Sequence, residues 1–167
     1  MIILGIDPGT AITGYGLIKT SGSKQYLLEY GCIRTAAHTP LPERLCQIYN
    51  KMSTLLDDTS PDQLAIEQLF FNTNTTTALS VGHARGVLIL AAAKRNISVS
   101  EYTPLQIKQA VTGYGQADKK QIQYMVRKLL NMENPPKPDD AADALAVAIC
   151  HAHYYTTRRL RGEEYGK

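Results

Sequence analysis

At 167 residues, with 44% apolar and 20% charged residues, the chain has the size and composition of one globular domain built around one core. Its formal net charge of +3 is too mild to mark a nucleic-acid binder by itself. The opening apolar run stops at Asp7, too short for a signal peptide or a membrane span, so a cytoplasmic protein with no membrane partner is expected.

Residues 2 to 6 form a continuous apolar run containing Ile2, Ile3 and Ile6, which predicts a central strand buried on both faces and ending at Asp7. Pro8-Gly9 turns the chain, Gly14 to Ile18 resumes it, and Ser21-Gly-Ser23 separates that segment from Tyr26 to Arg34. These three segments read as an antiparallel meander. Leu45, Ile48, Tyr49, Met52 and Leu55 carry helical spacing through Leu41 to Leu56, ahead of a loop ending at Pro61. Gln63 to Glu67 reads as a fourth strand, Thr75 or Thr76 as the cap of a helix reaching about Arg95, and Ile97 to Tyr102 as a fifth strand. Three helical stretches follow, at Pro104 to Val111, Lys119 to Leu130, and Asp140 to about Tyr154, broken by Gly113-Tyr-Gly115 and by Pro135-Pro-Lys-Pro138. Three strands, then helix and strand in alternation, then helices, predict an α/β layer with a five-stranded mixed sheet and helices on both faces. The domain is expected over 1–157, with 158–167 a basic, flexible tail.

Cys32, Cys46 and Cys150 are odd in number and irregular in spacing, which favours reduced thiols over a disulfide framework or a zinc ribbon. The acids are more informative. Asp7 and Glu67 each end an apolar strand, and Asp140 and Asp143 stand one turn apart on one face of an apolar helix. Taken singly, each has a bland explanation: a turn-starting aspartate, or acids facing the positive end of a helix dipole. Asp139 explains the cap of that last helix and leaves Asp143 unexplained. If the fold brings the four together they make a divalent-metal site, because clustered carboxylates repel one another without a compensating cation. Their hard oxygens favour magnesium or manganese over zinc, and two ions held this way activate water for in-line phosphoryl transfer.

Lys119 begins a helix, where a cation opposes the dipole unless an anion such as a phosphate is bound. A solvated lysine following an Asp118 cap accounts for the same pattern. Lys108 extends that basic surface. Phe70 and Phe71 adjoin Glu67 in a polar loop; one of them can stack on an unpaired base, and one can equally fold into the core. Ala78, Gly82 and Gly86 form a small-residue stripe at spacing four, suited to a two-fold dimer seam or to close packing on the sheet.

These residues resemble the RuvC family of bacterial Holliday-junction resolvases over nearly the whole chain. The resemblance rests on Gly5-Ile-Asp7-Pro-Gly-Thr10 with Thr13-Gly-Tyr-Gly16, on Gly31-Cys-Ile-Arg34, on Ala65-Ile-Glu67-Gln68 with Phe70, on Ala84-Arg-Gly86, and on Asp140-Ala-Ala-Asp143-Ala-Leu-Ala146. It implies an RNase H-like fold and a magnesium-dependent endonuclease that makes paired symmetric nicks in four-way junction DNA, leaving 5′-phosphate and 3′-hydroxyl ends. It implies Asp7, Glu67, Asp140 and Asp143 as metal-binding catalytic acids, Lys108 and Lys119 as phosphate contacts and Phe70 as a base-stacking wedge. A homodimer working with the RuvA and RuvB branch-migration proteins is expected on the same ground. The competing readings are a phosphate-binding actin-like or sugar-kinase-type module, which Asp7-x-Gly-Thr10 also resembles, and a junction-binding protein without catalysis.

Overall fold

The computed structural model describes residues 1–69 and 75–160. Five strands form one mixed sheet in the order β3-β2-β1-β4-β5, with β1 at Ile2–Asp7, β2 at Ile12–Ser21, β3 at Lys24–Arg34, β4 at Gln63–Glu67 and β5 at Ser98–Tyr102. The first three pair antiparallel as a meander, while β4 and β5 run parallel to β1. The helices are α1 at Leu41–Thr59, α2 at Thr75–Ala93, α3 at Pro104–Thr112, α4 at Lys119–Leu129 and α5 at Asp139–Leu160. α5 therefore continues past residue 157, where the basic tail was expected to begin, and carries Arg158 within the helix. No helix of the described residues is long and apolar enough to cross a membrane.

The two-residue period of the strands sorts the core into two halves. Leu4, Ile6, Leu17, Leu64 and Ile66 pack under α1 and α2 with Ile48, Met52, Leu56, Ala84 and Leu88. Ile3, Ile18 and Ala65 face the other way, under α3, α4 and α5, with Ile107, Val126, Leu145 and Ile149. Residues two apart from Ile3 and from Ala65 share that second face, so strand geometry alone aims Gly5 and Asp7 of β1, and Glu67 of β4, toward α5.

α5 lies unusually close to the sheet because glycines line its track. A Cβ on Gly14 would collide with the backbone carbonyl of Asp140, one on Gly5 with the backbone of Ala144 and Ala148, and one on Gly16 with Leu145. The helix answers with its own small residues, Ala141, Ala144 and Ala148, all fully buried. This seam fixes the height of the amino end of α5 above the ends of β1 and β2. Replacing Gly14 by Ala should therefore lower the unfolding free energy by about 1–3 kcal/mol, the usual cost of forced overpacking. Urea denaturation tests this; an unchanged midpoint would mean the seam does not constrain α5.

Candidate active site

Parallel pairing places Ile6 of β1 opposite Ile66 of β4, so Asp7 and Glu67 leave neighbouring strand ends about 4.8 Å apart in the sheet plane. Beyond Asp7 the turn is knitted by hydroxyls: Thr13 Oγ1 donates to the Gly9 carbonyl at 2.7 Å, Thr35 Oγ1 donates to the Thr10 carbonyl at 2.7 Å, and the Thr10 hydroxyl meets that of Ser80 on α2 at 2.8 Å. Glu67 is held through its backbone. Arg85 of α2 donates from Nε to the Glu67 carbonyl at 3.3 Å and pairs through Nη2 with Glu101 at 2.6 Å, and the Gln68 N–H donates to the Tyr102 carbonyl at 2.8 Å.

α5 closes over these strand ends. Its Asp140 sits above Gly14, and Asp143, one turn on, lines a cleft of about 250 Å³ with Glu67, Lys108, Asp118, Lys119 and the apolar Ile107 and Ile122. Burial first, then the charges of Glu67, Asp143 and Asp140, push the Asp7 carboxyl up to about 8, with Lys119 opposing. Burial and Asp143 push Glu67 up to about 7, with Lys108 opposing. Asp143 is raised chiefly by burial, against the pull of Lys119. The four acids singled out in the sequence thus share one electrostatic neighbourhood, in which ionisation of Asp7, Glu67 and Asp143 is penalised.

Lys119 is the local answer to that penalty. Its Nζ lies 3.2 Å from Asp139 Oδ2 and 3.3 Å from Asp143 Oδ2. Burial depresses the ammonium, but the bonds to Asp139 and Asp143 outweigh it and leave its pKa raised. The lysine that the sequence assigns to a bound phosphate is satisfied here by two carboxylates. Asp139 is the first residue of α5, and its carboxylate also accepts from Gln123 Nε2 at 2.9 Å. Lys119 and Gln123 together hold its pKa below the ordinary aspartate value. Among the described residues no three of His, Cys, Asp and Glu stand close enough to share one ion as placed.

Several expectations fall elsewhere. Phe70 and Phe71 lie outside the described residues. Ala78 is only 7% exposed and points into the protein, which removes it from an outer seam with Gly82 and Gly86; a Cβ on Gly86 would meet nothing within 4 Å. The outward stripe of α2 is instead Leu79, His83, Gly86 and Leu90. Arg85 went unassigned in the sequence, although an arginine inside the apolar run Ala84 to Ala93 was a usable signal, because a cation there needs a partner.

A carboxylate whose folded pKa lies above its unfolded value binds extra protons when folded, so its contribution is full at low pH and lost as pH rises. For Asp7 and Glu67 the loss runs from about pH 4 through about 8. In chelator the protein should melt at a higher temperature at pH 5.5 than at pH 8.5, and Asp7→Asn should remove much of that difference. Equal slopes for the two proteins, followed by circular dichroism, would detach Asp7 from the cluster.

A family model described as crossover junction endodeoxyribonuclease RuvC matches residues 3–151. Proteins of that name from Desulfitobacterium hafniense and Alkaliphilus metalliredigens are 61% and 60% identical to the chain, each match covering 92% of this chain and 93% of the relative. A solved structure of T. thermophilus RuvC in complex with Holliday junction substrate superposes with a TM-score of 0.89 at 35% identity, covering 94% of this chain and 96% of that one.

Proposed function

The chain belongs to the RuvC family of crossover junction endodeoxyribonucleases, and from that premise we propose that it resolves four-way DNA junctions by phosphodiester hydrolysis at the cluster of Asp7, Glu67, Asp140 and Asp143. The observation that carries the proposal is the placement of Asp7 and Glu67 at neighbouring strand ends beneath α5, whose Asp143 lines one cleft with Glu67; burial and three neighbouring acids push Asp7 up to about 8 there. A fold gains no stability from such a cluster, since uncompensated buried charge is costly. It is a cost accepted for a site that takes up positive charge.

The donor set fits hard divalent cations, magnesium first and manganese as a substitute, with two ions per site. Such ions, when bound, activate the attacking water and neutralise the leaving oxygen, so no covalent enzyme intermediate is required. The chain's own residues do the positioning. Asp7 and Glu67 are fixed by strand ends and by the Arg85 and Thr13 bonds behind them; Asp140 and Asp143 are delivered by α5. Lys119 and Lys108 line the same cleft as Glu67 and Asp143 and are assigned to phosphate oxygens of the substrate. Phe70 keeps its assignment as a base-stacking wedge, from its place in the sequence three residues beyond Glu67. The products are paired nicks with 5′-phosphate and 3′-hydroxyl ends.

Two such sites imply a homodimer, and the exposed stripe on α2 supports one: Leu79 is 62% and Leu90 53% exposed, with Gly86 open between them. Exposed apolar side chains in a row are the usual mark of an interface. The RuvA and RuvB proteins are the proposed partners, and a DNA substrate puts the work in the cytoplasm. Because the family match spans residues 3–151, an actin-like phosphate module and a non-catalytic junction binder are both disfavoured.

Asp7→Asn should reduce nicking of a synthetic four-way junction in magnesium by at least about a thousandfold, in line with loss of charge stabilisation at a reacting centre, while junction binding by gel shift is retained. Cleavage surviving in that variant would remove Asp7 from the chemistry. In the absence of DNA, magnesium should raise the wild-type melting temperature at pH 8 and leave that of Asp7→Asn nearly unmoved.

A further inference from the structure

Resting on the reading above, we propose that the outer face of α4 is a track for a DNA duplex arm, engaging phosphates beyond the nick through Lys120 and Lys128 with Tyr124 between them. α4 spans Lys119–Leu129 and contains Lys119, Lys120, Arg127 and Lys128 with no acid. That is more positive charge on one short helix than the +3 net charge of the whole chain. Ile122 and Val126 bury the opposite face against the core, so the period of 3.6 sends Lys120, Tyr124 and Lys128 outward in one row. All three are exposed.

The row starts one residue beyond Lys119 and is held by contacts of its own. Lys128 Nζ stands 5.7 Å and Arg127 Cζ 5.6 Å from the centroid of the Tyr124 ring, which holds the cations over an exposed aromatic face. Tyr124 and Lys120 line a groove of about 520 Å³ that reaches Tyr114, itself 60% exposed. At the near end of the same helix Lys119 touches Asp143. With a rise of 1.5 Å per residue, Lys128 lies about 13 Å along the helix from Lys119. Nine residues also carry Lys128 about half a turn around the helix from Lys119, so its phosphate partners lie on the duplex arm outside the cleft and not at the reacting phosphate. An ordinary solvated helix face alternates its charges; this one carries a single sign and begins at the acid cluster.

The test measures junction binding in chelator, where nothing is cut, for wild type and the double variant Lys120→Gln with Lys128→Gln. Two substrates are compared: an ordinary junction, and one with uncharged methylphosphonate linkages throughout the duplex arm beyond the nick position. The double variant should bind the ordinary junction about ten- to thirtyfold more weakly at 0.15 M salt, and its salt slope should be shallower by about 1.8. On the neutralised junction the two proteins should bind within about twofold of each other, because the contact is then already lost. Equal losses on both substrates, or no loss on the ordinary one, would overturn the track. Melting curves of the double variant establish that it is folded. Failure of the resolvase reading itself is separate, since it would appear as wild type that does not nick the ordinary junction in magnesium.

Discussion

The close seating of α5 on the sheet is the constraint from which the site follows. Helices and sheets pack through side chains, and a layer of ordinary residues between them would lift the first turn of α5 away from the strand ends. Gly5, Gly14 and Gly16 remove that layer where the helix crosses β1 and β2. Glycine in a strand costs conformational entropy and leaves nothing to pack. The cost is offset by the fit of Ala141, Ala144 and Ala148, which bury completely against the gap. Carboxylates from three separate elements enter one electrostatic neighbourhood because the backbones approach first.

That approach concentrates negative charge without supplying enough positive charge to balance it. Asp7 is pressed by Glu67, Asp143 and Asp140, and among the described residues Lys119 acts against this at Asp7 and Lys108 at Glu67. Lys119 divides its ammonium between Asp143 and Asp139 at nearly equal distances. Half-exposed ion pairs of this kind contribute little to stability. Their value is that the cation is already placed at the rim and can exchange partners at small cost. Asp139, tied to Gln123 and set outside the cleft, is the carboxylate to which Lys119 can remain attached when Asp143 is otherwise engaged. Asp139 pairs with Lys119 and Gln123 at the rim, while the backbone of Asp140 rests on Gly14.

Much of this was legible before any coordinates. Strand ends at Asp7 and Glu67 and the start of α4 at Lys119 emerge from the sequence because buried strands read as unbroken apolar runs and capping residues mark helix starts. Thr103 and Asp118 each close a reciprocal capping box with the glutamine three residues on, Gln106 and Gln121. The failures have a common physical source. Spacing reveals which residues share a face, yet it does not reveal which way that face points when the helix lacks a polar side. α2 is apolar nearly all round, so Ala78 and Gly86 looked equivalent from their spacing, although one is buried and the other open. The partners of Lys119 and Arg85 were hidden for a related reason: ion pairs across elements depend on helix azimuth, which no local pattern encodes. The end of α5 was set too early because Arg158 and Arg159 read as a solvated tail, whereas helical hydrogen bonding runs through residues of modest propensity when the preceding turns are well buried.

An acid cluster and a polyanionic substrate repel each other, so an enzyme of this design must attract DNA with charge lying outside its own reaction centre. Screening limits how far away that charge can be. At physiological salt the Debye length is about 8 Å, and a lysine further than this from a phosphate contributes almost nothing. The cations must therefore touch the backbone, and they must do so without collapsing onto the acids they flank. The fold keeps the two signs apart by putting them on different elements: acids on β1, β4 and α5, cations on α3 and α4, whose starts are fixed by the Thr103 and Asp118 caps. Lys108 lines the same cleft as Glu67, and among the described residues Lys119 is the one that pairs directly across the divide. On the proposed reading its position at the first turn of α4 makes it the junction between a surface that holds DNA and a cleft that cuts it, which explains why a helix that gains nothing from an N-terminal cation nevertheless carries one.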